Sequence, residues 1–151
     1  MLCQTQVTID GAELDHHFFS NIRDVTLGLM LYEFQIFKAQ RDRGATCWPL
    51  ITLNFNLPPD ICMQLMHIIP LSIIPGPKAP KDFNSFLHLF VDECKKFAAG
   101  VWAFNSHENK MFKLHVYPIS VHGDMMAIKY IMNFKGPNGK SLCHACHITG
   151  V

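Results

Sequence analysis

"DFNSFLHLFVDECKKFAAG", residues 82–100, is the stretch on which the fold turns. Phe83, Phe86, Leu87, Phe90, Val91, Cys94, Phe97 and Ala98 recur at spacings of three and four, lining one face of an amphipathic helix. Asp82 or Asn84 is placed to cap its start, and Gly100 to stop it. His88 falls beside the stripe and reads as boundary packing.

Strands lie on both sides of this helix. "DVTLGLML" (24–31) reads as a buried strand, and "YEFQIFKAQRDRGA" (32–45) runs polar toward Gly44, as a strand edge or a turn does. "CWPLITLNFNL" (47–57) is a second strand, with Leu53, Phe55 and Leu57 on one face and Asn54 and Asn56 on the other, stopped by Pro58 and Pro59. The six prolines of 58–82 leave room for a short strand near Ile68–Ile74 and little helix. Downstream, 101–121 is predicted to be a hairpin turning in "NSHENK", its second strand near 111–121 running into "HGD" (122–124). "MMAIKYIMNF" (125–134) reads as a short helix and "KGPNGK" (135–140) as a loop. The pattern is α/β: one mixed sheet with flanking helices, in the order strand, strand, weak strand, helix, strand, helix.

Composition narrows the function. The chain has 151 residues, enough for one domain with a real core. Apolar residues make up 49% and charged residues 17%, which excludes a disordered chain and predicts apolar surface needing a cover, such as a protein partner. A net charge of +1 leaves no strong electrostatic footprint for nucleic acid, Lys38, Arg41 and Arg43 being the nearest approach to a basic cluster. The start "MLCQTQVTIDGAELDHHFF" has neither the basic opening nor the apolar run of a signal peptide, and no stretch is long and apolar enough to span a membrane. An intracellular protein with reduced thiols is expected, with Cys62 and Cys94 in the core.

Two cysteines and two histidines crowd into "SLCHACHITG" (141–150). Cys143 and Cys146 have the spacing of half a structural Zn²⁺ site, which needs two further ligands; a redox pair and two unliganded thiols are the other readings. His122, two residues before Asp124, is placed to hydrogen-bond to that carboxylate or to ligate a metal beside it. By itself, Asp124 after Gly123 reads as a turn residue or helix cap.

The segments "DVTLGL", "FKAQR", "CWPLITLNFNLPPDI", "IIPGPKAPKDFNSFLHLFVDE", "GVWAF", "HVYPISVHGDMMAI" and "MNFKGPNGKSLCHACHITGV" occur in an order and spacing that resemble the Tnp2 family of CACTA-type DNA transposases, especially the forms of mushroom-forming fungi. The resemblance covers about 22–151, leaving 1–21 as an N-terminal segment. It implies part of an RNase H-like catalytic domain, truncated at the C-terminus and ending in the CxxC motif. It also implies DNA as the partner, the nucleus as location, and two aspartates and a glutamate holding Mg²⁺ or Mn²⁺. Two such ions about 4 Å apart activate the attacking oxygen and stabilise the leaving one, and hard cations want carboxylate oxygens.

By that resemblance Asp124 is the second aspartate, the catalytic and metal-binding residue that remains. The first is missing. Where the family has "LGLxxDGFxPF" this chain reads "LGLMLYEFQIF" (27–37), with Tyr32 in the aspartate's place and Glu33 in the glycine's. A phenol is protonated near neutral pH and ligates Mg²⁺ poorly, and Glu33 would need a bulge or a slip of one residue to reach Asp124. The third carboxylate belongs beyond Val151, and the family's "GHNG" histidine is Pro137 here. The expectation is a degenerate transposase fragment without strand-transfer or nuclease activity. The alternatives are a DNA- or protein-binding module derived from a transposase and a small zinc-binding protein.

Overall fold

The computed structural model describes residues 5–36, 46–76, 80 and 82–133. Lys38, Arg41, Arg43, Cys143 and Cys146 lie outside the described residues.

The first described elements form a hairpin beyond those expected from the sequence, β1 (Gln6–Ile9) and β2 (Ala12–His17). Its turn is Asp10–Gly11, with φ of 50° and 83°. Two successive positive φ values are what a two-residue hairpin turn of the right twist demands, and Asp-Gly supplies them at little steric cost.

The central sheet is built on β3 (Val25–Leu31) and β5 (Thr46–Asn54), which pair antiparallel from Leu27↔Asn54 to Leu31↔Leu50. A two-residue strand, β4 (Phe34–Gln35), prolongs this ladder as Phe34↔Cys47 and Gln35↔Thr46. Both strands advance three residues between Leu31↔Leu50 and Phe34↔Cys47, so there is no bulge, and Tyr32 falls opposite Pro49 and Glu33 opposite Trp48. The bond from Phe55 N–H to the Thr26 carbonyl (2.9 Å) sets the phase of the ladder. Counting two residues at a time from it makes Tyr32–Pro49 a bonded position, and Pro49 has no N–H to give. The missing donor accounts for the break between β3 and β4.

A short helix, α1 (Pro59–Cys62), and a 3-10 turn at Leu65–His67 lead to β6 (Ile69–Pro75), antiparallel to the other side of β5. Helix α2 (Asn84–Ala99) follows, then the two-stranded ribbon β7 (Val101–Asn105) and β8 (Lys110–Leu114), then β9 (Val116–Gly123) and helix α3 (Met125–Ile131). β9 runs parallel to β3, giving the sheet order β6-β5-β3-β9.

Leu29, Leu31, Trp48, Leu50 and Ile74 face one side of the sheet, where Phe83 and Leu87 at α2 and Ala127 of α3 cover them. The opposite side and the rims leave Phe34 and Ile73 more than half exposed. Apolar stripes at helical spacing therefore found their core, but on one face of the sheet only among the described residues.

The local expectations are met in part. α2 has Phe83 at its cap position with no side-chain cap, and of the two expected capping residues Asp82 engages the helix start, its Oδ1 accepting from Asn84 N–H at 3.0 Å. Gly100 stops the helix as expected, its N–H reaching the Lys96 and Phe97 carbonyls at φ 94°. His88 is exposed and faces Asp92 one turn on, at 3.4 Å, rather than packing at a boundary. Cys62 is buried, and Cys94 is half-buried at the edge of the stripe. β5 ends at Asn54 rather than reaching Leu57, because Asn54 Oδ1 accepts from Asn56 N–H (3.0 Å) and turns the backbone. The side chain of Asn56 then bonds to Thr26 N–H (2.7 Å) and the Asp24 carbonyl (2.9 Å), which pins the start of β3. The expected strand 111–121 is two strands, split at His115, whose ring turns inward to Asp24.

Candidate catalytic face at the ends of the parallel strands

The register Met30↔His122 and Leu31↔Gly123 brings the C-terminal ends of β3 and β9 side by side. One step further, Tyr32 and Asp124 are the neighbouring residues that leave the two strands. Gly123 makes this approach possible, since a Cβ there would lie 2.8 Å from both the Leu31 carbonyl oxygen and Ala127 Cβ. The Gly-Asp pair thus has a steric cause of its own.

Asp124 is the N-cap of α3, its Oδ1 accepting the Ala127 N–H at 2.7 Å. One carboxylate oxygen is committed to holding the helix, and Oδ2 is the oxygen left for other chemistry. Tyr32 is 41% exposed, so its phenol is open to solvent. Glu33, opposite Trp48 in an unbulged register, alternates to the side of the sheet away from Tyr32. The structure therefore does not bring Glu33 and Asp124 to one face.

His122 does not bond to Asp124: its Nε2 meets Ser120 Oγ at 2.9 Å, and Phe55 stands edge-on to its ring with centroids 6.0 Å apart. The Phe55 ring itself lies over Gly28, where a Cβ would fall 2.4 Å from its Cζ. Among the described residues no group of three His, Cys, Asp or Glu side chains is arranged to hold a metal ion. The described residues at this face, one free carboxylate oxygen and the phenol of Tyr32, do not fit a pair of divalent ions.

A second cluster, not anticipated from the sequence, sits at the opposite ends of the same two strands. Asp24 and His115 are both buried, with His115 Nδ1 donating to Asp24 Oδ1 at 3.2 Å. Asp24 Oδ2 also accepts from Asn21 N–H at 3.1 Å. The His16 ring stacks on His115 at 4.3 Å and its Nε2 donates to the Ala98 carbonyl at the end of α2, at 3.0 Å. Tyr117 is enclosed by Phe18 and Phe19, with ring centroids 4.9 and 5.1 Å away, and its hydroxyl is buried without a partner. Desolvation, with the Asp24 charge adding to it, pushes the Tyr117 phenol up to about 12. Asp24 and His115 are 91 residues apart, and no spacing rule could have joined them.

An apolar cavity of about 540 Å³ opens between β1, α2 and β9, lined among others by Val7, Phe90, Cys94 and Ile119. Burial pushes the Cys94 thiol on its wall up to about 11, with Glu93 contributing. The cysteines among the described residues, Cys47, Cys62 and Cys94, are free thiols. No helix among the described residues is long and apolar enough to cross a membrane.

With this geometry set beside known sequences, the model of transposase family tnp2 matches residues 8–150. The chain belongs to the tnp2 family of transposases. The match begins inside the β1–β2 hairpin, well before residue 22, in keeping with the way Val7 is buried and Lys95 of α2 binds Asp10 of the hairpin turn at 2.8 Å. No curated protein and no solved structure matches the chain. Membership associates the tnp2 chain with metal-dependent DNA transposition. It gives DNA as the family's partner.

Proposed function

We propose that this domain is the catalytic scaffold of a CACTA-type transposase from which the first metal-binding carboxylate has gone, so that it does not cleave or transfer DNA strands. The observation that carries this is the register that sets Tyr32 beside Asp124 at the ends of two parallel strands. A two-metal centre needs carboxylates from both strands, and only one strand offers one. The order β6-β5-β3-β9, with three antiparallel strands followed by α2 and a parallel fourth, supports an RNase H-like reading of the sheet.

Within this reading Asp124 is the surviving ligand position, now serving as a helix cap. Cys143 and Cys146 are proposed as a zinc half-site. DNA is the substrate class, and the nucleus is where such a domain would meet it. A role as a protein-binding module is favoured by one observation, the exposed apolar side chains Phe34, Ile36 and Ile73 at the open part of the sheet.

The test is incubation of the purified chain with labelled transposon-end duplex in Mg²⁺ and in Mn²⁺. No nicked or joined product is expected in either metal. A metal-dependent product that disappears in Asp124→Asn would show that the centre works and defeat the proposal.

A further inference from the structure

The ribbon β7–β8 has one face that the core does not use. Its cross-strand pairs alternate: Val101↔Leu114 and Ala103↔Phe112 point inward, and Trp102↔Lys113 and Phe104↔Met111 point outward. The outward residues are conspicuously bare, with Trp102 72%, Phe104 58% and Met111 56% exposed. Inward, the Arg23 guanidinium lies 4.9 Å over the Phe112 ring and pairs with Glu108 at 2.5 Å. This anchors the ribbon to the loop before β3 and neutralises the ribbon's single acidic residue.

The outward face thus carries two aromatic rings, a methionine and one charge, the cation of Lys113. Lys110, opposite Asn105 beside the turn, belongs by the same alternation to the other face. Asp15, the acid whose carboxyl feels Lys113, is engaged first by His16 Nδ1 at 3.2 Å. No carboxylate sits on the face itself to repel a polyanion.

We infer that this face binds unpaired nucleotide bases of single-stranded DNA, which stack on Trp102 and Phe104 while Lys113 between them meets a phosphate. Stacking suits the geometry because every base presents a π-face, whereas the faces of bases in a duplex are already covered by their neighbours. A ribbon fixed by Arg23 holds its rings in place before the strand arrives, so less ordering accompanies binding. The inference rests on the DNA-processing reading above for its setting, and on the ribbon's own surface for the contact.

The chain has two tryptophans, and Trp48 is 4% exposed, so Trp48→Phe leaves Trp102 as the sole emitter. Should that variant not fold, iodide quenching of the native chain separates the exposed Trp102 signal from the buried one. The titrants are oligothymidylate of ~20 nucleotides and a duplex of equal length at low salt, followed in parallel by gel shift. The expected result is Trp102 emission quenched by the single strand more than by the duplex, with Trp102→Ala weakening single-strand binding roughly 5- to 150-fold. Binding seen by gel shift with Trp102 emission unchanged and Trp102→Ala neutral would overturn the ribbon's role and leave the DNA reading standing. Absence of binding to either DNA at low salt would overturn both.

Discussion

Tyr32 and Asp124 leave two parallel strands side by side, and in the function proposed above only Asp124 offers a metal ligand. Asp124 has a structural task independent of metal, since its Oδ1 holds the Ala127 N–H at the start of α3. Asp124→Ala is expected to lower stability by about 0.5–2 kcal/mol, and Asp124→Asn by much less, because an asparagine side chain also caps. Denaturant midpoints of the two variants check this; equal losses would mean that the charge, not the cap, is what matters. Gly123 next to it is tied to close approach, so Gly123→Ala is expected to destabilise by about 1–3 kcal/mol, read from the same titrations. Tyr117 gives a pH signature. Its folded pKa of about 12 stands above the ordinary 10 of an exposed phenol, so the stability linked to it is complete below about pH 10. It is lost as pH rises toward 12. Tyr117→Phe should remove that alkaline loss, measurable as unfolding free energy across pH 9–12.

At the scale of elements, what the sequence disclosed and what it hid have physical causes. α2 was legible because Phe83, Leu87 and Phe90 repeat at helical spacing and Gly100 can take the φ of 94° that ends the helix. The turn of the β7–β8 ribbon was legible in "NSHENK", where Asn105 Oδ1 accepts the His107 N–H at 3.0 Å. The Asp10–Gly11 hairpin carries an equally clear signal in its dipeptide, but β2 sets Glu13, Asp15 and His17 against a face of only Ala12, Leu14 and His16, too weakly apolar to mark a strand. The break at Tyr32 was not legible, since it depends on Pro49 lying across the ladder, a pairing that only the register reveals. Nor could the split at His115 be read, because it follows from a carboxylate far away in the chain. Leu50 joins these elements at the centre of the covered face, 1% exposed. Leu50→Ala is expected to cost about 2–5 kcal/mol, seen as a lowered thermal midpoint; a loss below 1 kcal/mol would mean that this core is loosely packed.

Across the whole molecule, the parallel alignment of β3 and β9 organises two distinct ends. One end is a buried polar cluster, in which Asp24, His115, His16 and the Ala98 carbonyl tie the hairpin, α2 and both strands together. The other is the open face where Tyr32 and Asp124 leave the sheet. The family was legible in sequence through strings such as "IIPGPKAP" and "HVYPISVHGD"; the spatial relation of Tyr32 to Asp124 required the sheet. The most direct test of the account is the anomalous signal in crystals of the chain soaked in Mn²⁺. No manganese is expected at Asp124 in the native protein, and an ion is expected to appear there in Tyr32→Asp. Manganese held between Asp124 and Glu33 in the native protein would contradict it, showing that the centre has been rebuilt rather than lost.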